Sequence, residues 1–454
     1  MNKLLIANRG EIACRIMRTA KNMGISTVAV YSEADASALH VSSADEAVLL
    51  GPAKAQESYL VIDKILAIAK STGADAIHPG YGFLAENAGF AQQVIDAGLI
   101  WVGPTPEQIE AMGDKERAKI VAQQVSVPTL PGSERIESLA NINITAIAEQ
   151  VGYPLLVKAC AGGGGIGMRL VNNADELEKV VESTQTMAER SFGDGSVFLE
   201  RFIAKARHVE VQVFGFGDGR AVHLFERDCS IQRRFQKVIE ESPAPNLPND
   251  VREAMARSAV AFASSQNYLG AGTVEFVVDA DTKEFFFLEM NTRIQVEHPV
   301  TEMVTGHDIV ALQLGLASGS KIADLTQENI QSQGHAIECR LYAENPNKMF
   351  LPSPGDLTTY EIPAPSANVR IDTGVSQGDK ITPYYDPMIA KLICYGGSRE
   401  SALAEMSKAL EEVKIEGIAN NVEFLKKTIA HAQFASGDVF TGFIELNKEE
   451  LIGD

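Results

Sequence analysis

The chain has 454 residues, 45% of them hydrophobic and 22% charged, enough for a sizeable core and a prior of about three domains. Its net charge of −20 excludes nucleic acid and an anionic membrane as bulk partners, so an anionic substrate must be held by a local cluster of positive charge. No apolar run approaches the ~20 residues of a membrane span, and the five cysteines lack CxxC spacing, which disfavours a zinc site or a disulfide frame.

From the N-terminus, charge arrives too early for a signal-peptide core, and reduced thiols in a cytoplasmic protein are expected. Residues 1–110 alternate between strand and helix signals. Residues 3–7 are apolar, 11–23 have helical spacing and 26–31 are β-branched. A helix is predicted over 59–70, with strands over 74–78 and 99–102. This alternation predicts a parallel sheet with helices on both faces. The first strand runs into Ala7-Asn8-Arg9-Gly10-Glu11, which lacks the GxGxxG of a dinucleotide site, so a nicotinamide-dependent oxidoreductase is disfavoured. The segment His78-Pro79-Gly80-Tyr81-Gly82-Phe83 is a Gly/Pro loop after a strand; spacing alone favours an ordinary turn.

A smaller unit follows. Asp114 and Lys115 open a helix, 127–132 reads as a linker, and 155–159 is a strand that ends at Gly162-Gly163-Gly164-Gly165-Ile166-Gly167. Glycines with no Cβ let backbone amides close over an anion. No GK[ST] follows, so this is a flap between strands, with Lys158 just before it, and not a Walker loop. Residues 197–203 are an apolar strand suited to carrying a base. Residues 208–216 alternate strongly before a Gly217-Asp218-Gly219 turn. The return strand enters Glu226-Arg227-Asp228-Cys229-Ser230-Ile231-Gln232-Arg233-Arg234-Phe235-Gln236-Lys237, the local positive cluster that the acidic chain demands. A thiol among arginines has reason for a lowered pKa, although a structural role for Cys229 is favoured over a catalytic one. A helix is predicted over 250–267.

Two apolar runs, 273–278 and 284–290, flank a turn-rich 279–283 and predict a β-hairpin. Glu275 and Glu289 lie one in each run, followed by Asn291, Arg293, Gln295, Glu297 and His298. Hard oxygen ligands in this arrangement suit Mg²⁺ held together with substrate phosphates, which points to phosphoryl transfer. Beyond a helix over 307–318, residues 334–344 alternate, placing Glu338 and Arg340 on one face of a strand and Ile337 with Cys339 on the other. Residues 351–355 read as a rigid turn and 399–413 as a closing helix.

The flap, the acidic hairpin and the Asn291, Arg293, Gln295, Glu297 run together resemble the ATP-grasp superfamily and, within it, the biotin carboxylases. The likeness extends from Ile6-Ala7-Asn8-Arg9-Gly10-Glu11 through the 78–83 loop and the 226–230 run to Tyr384-Tyr385-Asp386-Pro387-Met388. It implies a mixed α/β and α+β architecture. An N-terminal parallel α/β domain would span 1–112, and an ATP-grasp domain 113–322 with a small mobile lid at about 131–203. A C-terminal mixed domain would span 335–444. It also implies a ligase that uses ATP, Mg²⁺ or Mn²⁺ and bicarbonate to carboxylate biotin by way of carboxyphosphate.

Under that resemblance Lys115, Lys158, Gly164 and Gly165 would contact the ATP phosphates. Glu200, Phe202 and Ile203 would hold adenine, His208 the ribose, and Gln232 would belong to the same nucleotide site. Glu275, Glu289 and Asn291 would bind metal; Lys237, Arg293, Gln295 and Val296 would hold bicarbonate, with Glu297 as its general base. Arg340 would face the biotin ureido oxygen, with Tyr81 beside the ring.

Two positions depart from the pattern: Ile166 stands where relatives usually have arginine or lysine, and Phe235 where many have histidine. No Met-Lys-Met biotin-attachment tripeptide occurs, so biotin would arrive on a separate carrier protein or domain. The implied partners are that carrier, carboxyltransferase subunits and a second copy in a homodimer. The implied setting is acetyl-CoA carboxylase in fatty acid biosynthesis or a related acyl-CoA carboxylase. Another ATP-grasp carboxylate or carbamate ligase is disfavoured by the 293–297 run and Arg340. An ATP-sensing subunit without catalysis is suggested only by Ile166 and Phe235.

Overall fold

The computed structural model of the chain describes residues 1–140, 142–160, 168–192, 194–234, 236–320 and 325–453. The first apolar runs form a parallel sheet of β1 (Lys3–Ile6), β2 (Ser26–Ser32), β3 (Glu46–Gly51), β4 (Ala76–His78) and β5 (Ile100–Trp101), in the order β3-β2-β1-β4-β5. Both faces are covered, which is why β1 reads as a continuous apolar run. Leu4 and Ile6 pack with Ile12, Ile16 and Met17 of the helix Gly10–Asn22. Leu5, on the opposite face, packs with Ile65 of the helix Ile62–Thr72 and Phe90 of the helix Ala88–Asp96.

The strand order reverses beside β1, where open α/β sheets form a crevice at their carboxyl ends. The loops after β1 and β4 meet there: Asn8 Nδ2 donates to the carbonyls of Pro79 and Tyr81, each at 2.7 Å. Gly80 has φ +65°, and a Cβ at that position would stand 2.9 Å from the Asn8 amide, so the close approach requires glycine. The 78–83 loop is therefore a braced wall, not an ordinary turn.

A three-stranded antiparallel sheet follows, β6 (Leu155–Ala159), β7 (Met168–Val171) and β8 (Val197–Arg201), in the order β7-β6-β8. Helices Ile144–Val151 and Ala174–Phe192 join it around a separate core that includes Leu155, Val157, Leu177, Val181 and Leu199. Strand β8 ends at Arg201, so Phe202 and Ile203 lie past it and not within it, as the apolar run had suggested. Gly164, Gly165, Ile166 and Phe235 lie outside the described residues.

The largest sheet has eight strands: β9 (Ala206–Phe216), β10 (Ala221–Arg233), β11 (Gln236–Ser242), β12 (Leu269–Asp279), β13 (Phe285–Asn291), β14 (His335–Tyr342), β15 (Val369–Thr373) and β16 (Met388–Gly396). Their order is β13-β12-β9-β10-β11-β14-β16-β15, with every neighbouring pair antiparallel. The predicted hairpin is β12 with β13, and it sets Glu275 opposite Glu289 and Thr273 opposite Asn291. A bulge follows Glu275, a device that re-aims side chains near functional sites. The helix Asn249–Ser265 packs Met255 and Phe262 against Val209 and Val211 of β9. The helix Arg399–Glu412, opened by a Ser398 capping box, packs Met406 and Leu410 against Leu392 and Cys394 of β16. Among the described residues no helix is long and apolar enough to cross a membrane.

Candidate active site

Alternation along β9 sends His208, Glu210 and Gln212 to one face, and the β9–β12 register sets Glu275 opposite Glu210. With Glu289 opposite Glu275, three carboxylates line up across three strands. Such a row needs cations, and β11 supplies one. Lys237 Nζ lies 2.7 Å from Glu210, 2.9 Å from Glu275 and 2.7 Å from Glu297. Burial alone would lower the Lys237 pKa, but these three carboxylates outweigh it and hold the ammonium well above its ordinary value.

Glu297, in the turn after β13, bridges the site. Its Oε1 meets Lys237 and its Oε2 lies 3.0 Å from Arg340 Nη2 on β14. Burial would push its carboxyl up; Lys237, Arg340 and Arg227 together bring it down instead, below the usual carboxylate range. Glu275 is likewise held well below its ordinary value, against its burial, by Lys237 and His208. Its Oε1 accepts from Lys237, from Asn291 Nδ2 at 2.8 Å and from Gln295 Nε2 at 2.8 Å, while His208 Nε2 stands 2.8 Å from Oε2. Gln232 Nε2 lies 2.8 Å from the other His208 ring nitrogen.

Beneath these groups Arg227 has every donor arm engaged and no exposure. It donates to Glu210 at 2.6 Å, Gln212 at 2.7 Å, Gln295 at 2.8 Å, Thr301 at 2.9 Å and Thr273 at 3.1 Å. An arginine fork that ties five groups together fixes the floor of the site before any substrate enters. Neither Arg227 nor Glu210 was singled out from sequence. For Glu210 the signal was present, two residues from His208 on an alternating strand.

The metal set can be tested on its own chemistry. Glu275, Glu289 and Asn291 offer only oxygen donors from adjacent strands, which fits Mg²⁺ or Mn²⁺. The Asn291 oxygen accepts from Arg293 Nη2 at 3.0 Å, and Glu289 is ion-paired at 2.9 Å with Lys115, so a divalent ion would displace cationic partners it could substitute for. Ligand atoms of His208, Glu210 and Glu275 also lie within 4.8 Å of one another, but there the Lys237 ammonium already supplies the cation.

A cavity of about 570 Å³ opens between the 78–83 loop, the turn after β13 and strand β14; Tyr81, Arg293, Val296 and Arg340 line it. Its walls are tied together. Lys391 on β16, fully buried, donates to the Val296 carbonyl at 2.8 Å and lies 3.2 Å from Glu11, whose other oxygen holds the Tyr81 hydroxyl. Arg293 Nε reaches Glu86 at 2.9 Å. The expected groups thus fall into separate places. Lys237, Glu275, Asn291, Gln295, Glu297 and Arg340 form one connected cluster. Lys115 is exposed beside Glu289. Lys158 pairs with Glu200 in the three-stranded unit, near Phe202, whose amide donates to Pro154 at 2.9 Å.

Two expectations are corrected. The 226–237 run is not a free positive patch: Arg227 is neutralised by Glu210, Arg233 by Glu344 and Lys237 by three carboxylates, all supplied from outside the run. Nor do its arginines lower the Cys229 pKa. Burial and the neighbouring Glu210 raise the thiol well above its ordinary value, so it is an inert core group.

Comparison with known proteins bears on this geometry. Residues 1–109 match the family model for the biotin carboxylase N-terminal domain, 114–325 that for the ATP-binding domain of the carbamoyl-phosphate synthase L chain, and 338–446 that for the biotin carboxylase C-terminal domain. Biotin carboxylase 1 of Bacillus subtilis is 49% identical over 446 residues, 98% of each chain. The mitochondrial methylcrotonoyl-CoA carboxylase subunit alpha of Dictyostelium discoideum is 51% identical over 452 residues. The match takes in 100% of this chain but only 64% of that subunit, so the chain spans less than two thirds of such relatives. A solved biotin carboxylase domain dimer of the Hydrogenobacter thermophilus 2-oxoglutarate carboxylase, in complex with MgADP, ADP and bicarbonate, superposes with a TM-score of 0.87 at 43% identity, over 99% of this chain and 98% of that one. The expected fold, an ATP-grasp arrangement with a parallel N-terminal sheet, is the one observed.

Proposed function

The chain belongs to the biotin carboxylase family of ATP-dependent ligases, and on that premise we propose that it carboxylates biotin on a carrier protein with ATP and bicarbonate. The observation that carries this reading is the position of Glu297, with one oxygen 2.7 Å from Lys237 and the other 3.0 Å from Arg340. A single carboxylate joins a cation suited to an oxyanion with an arginine that lines a cavity large enough for a bicyclic ring.

ATP would be held with its phosphates on Lys115, Lys158 and the flap glycines Gly164 and Gly165. Adenine would lie against Glu200, Phe202 and Ile203, and the ribose against His208, which Gln232 orients. Glu275, Glu289 and Asn291 would hold Mg²⁺ or Mn²⁺, which when bound neutralises phosphate charge. Bicarbonate would sit on Lys237, Arg293, Gln295 and the Val296 backbone. As it enters, Lys237 turns part of its charge to the new anion, and Glu297 loses one of the partners that depress its pKa. It then becomes a better base for the bicarbonate proton, and the oxyanion attacks the γ-phosphate. Carboxyphosphate is labile in water, which gives closure of the 131–203 unit as a lid its purpose. Carboxyphosphate would break its C–O bond to give carbon dioxide and phosphate. Biotin would enter the cavity beside Tyr81, its ureido nitrogen giving its proton to that phosphate and bonding to the carbon dioxide, with Arg340 on the ureido oxygen.

The test is one assay with two readouts: bicarbonate-dependent ADP release with free biotin present, and transfer of labelled bicarbonate to biotin. Both are expected. ADP release without carboxybiotin favours another ligase, and neither activity favours a sensing subunit.

We place the chain in an acyl-CoA carboxylase, working with a biotin carrier and a carboxyltransferase as a homodimer. The methylcrotonoyl-CoA carboxylase likeness supports a branched acyl-CoA acceptor over the acetyl-CoA carboxylase of fatty acid biosynthesis. Five free cysteines fit a reducing compartment such as the cytoplasm. A flap cation is missing at Ile166. Restoring it in Ile166→Arg is expected to lower the KM for ATP about tenfold, the worth of one charge-assisted contact. Equal KM values for the two proteins reject that role for the position.

A further inference from the structure

Two buried glutamates stand behind Arg340, and the reaction above uses neither. Strands β11 and β14 set Glu240 directly opposite Glu338, and alternation along β14 puts Glu338 on the same face as Arg340. Both carboxyl groups have 0% exposure. Glu240 Oε1 lies 2.5 Å from Arg340 Nη2, the same nitrogen that reaches Glu297 at 3.0 Å. Among the described residues no oxygen of Glu240 or Glu338 has a hydrogen-bond partner, so Glu240 meets Arg340 as an ion pair and Glu338 meets no partner at all.

Two ionised carboxylates facing each other in a water-free layer repel, and one of them takes a proton instead. The charged groups facing the pair are Arg340, Lys237, Lys391 and Glu297. None of the cations is free to neutralise Glu338. Lys237 is bound by three other carboxylates, and Lys391 by the Val296 carbonyl and Glu11. Arg340 is already divided between Glu240 and Glu297. Burial, only partly offset by Arg340, pushes Glu240 up to about 7; burial pushes Glu338 well above its ordinary value.

We infer that Glu338 is a neutral carboxylic acid, and that Glu240, beside this uncharged neighbour, holds Arg340 in place at the edge of the cavity. The inference rests on the reading of Arg340 as the ureido-facing arginine. It assigns Glu240 and Glu338 as positioning residues, since neither lines the cavity. A second anchor has a chemical reason. Glu297 changes charge when it takes the bicarbonate proton and at that moment loosens its hold on Nη2. Glu240 meets no substrate and keeps its hold throughout. The proton on Glu338 keeps the back of Arg340 from carrying two negative charges, so the guanidinium retains positive character towards biotin.

The experiment uses the full chain and two isosteric variants. Infrared difference spectra of wild type minus Glu338→Gln at neutral pH are expected to show one protonated-carboxyl carbonyl band. That band is read without any turnover, so it decides the pair even if the wild type forms no carboxybiotin, a result that would sink the proposed function alone. In carboxybiotin formation, Glu240→Gln is expected to lower kcat about 10²-fold, the cost of a misplaced catalytic group. Its KM for ATP is expected to stay within about twofold. Absence of the band overturns the inference. So does Glu240→Gln turning over at the wild-type rate, or losing ATP affinity in step with kcat, as general damage to the fold would produce.

Discussion

Replacing Arg340 with alanine is expected to cut carboxyl transfer to biotin about 10²–10³-fold, the usual worth of one donor to a developing oxyanion, while bicarbonate-dependent ADP formation continues. The asymmetry follows from position. Arg340 lines the cavity and touches Glu297, but it is not among the groups gathered on Lys237 and Glu275. Labelled bicarbonate recovered on biotin measures the first quantity and ADP the second, on the same sample. Transfer at the wild-type rate would remove Arg340 from the reaction. The variant also leaves Glu240 and Glu297 without a shared cation. Removing one partner of a buried pair costs about 3–5 kcal/mol, so a thermal melt belongs beside the kinetics. A folded protein that makes ADP but no carboxybiotin is the expected result.

Glu297→Gln should look different. It keeps the shape and still accepts from Lys237, but it cannot take a proton. General-base loss is commonly worth about 10²–10⁴ in rate, and here it falls on the first step, so ADP and carboxybiotin should decline together. The Lys237 ammonium keeps Glu210 and Glu275 as partners, so the floor of the site should survive the change. Loss of carboxybiotin with ADP formation intact would move Glu297 from bicarbonate activation to the transfer step. The two variants together separate the half-reactions without any change of substrate.

Local pattern was enough to find the elements that carry chemistry. Strand Leu155–Ala159 falls where the apolar run before the glycines predicts it, and the acidic hairpin forms with Glu275 facing Glu289. Periodicity missed Glu46–Gly51 as an edge strand and Ala88–Asp96 as a helix, both short and weakly patterned beside their neighbours. It also misjudged charge. The basic run 226–237 looks like a positive patch because its compensating carboxylates, Glu210, Glu275, Glu297 and Glu344, come from other elements. Cys229 fails for the same reason: nearby arginines in sequence say nothing of the glutamates and the burial that decide its pKa. The role of Lys391 in tying Val296 to Glu11 was not legible in the run it closes, since its partners are brought to it by a sheet and a crevice that the linear order conceals.

The eight-stranded sheet runs from β13 to β15 without a break, although the family matches divide the chain between residues 325 and 338. Lys237 sits on β11 and Arg340 on β14, and those strands are hydrogen-bonded neighbours. The groups proposed for bicarbonate and for biotin are therefore carried by neighbouring strands of one sheet, about 4.8 Å apart, and not by two bodies docking. Chain inserted between residues 243 and 334 could lengthen without altering that distance. A slip of one rung along β14 would do the reverse: it would turn Arg340 away from Glu297 and present Cys339 or Leu341 in its place. With Arg340 in its proposed role, carboxyl transfer would depend on strand register, and a single rung would separate a working site from a silent one.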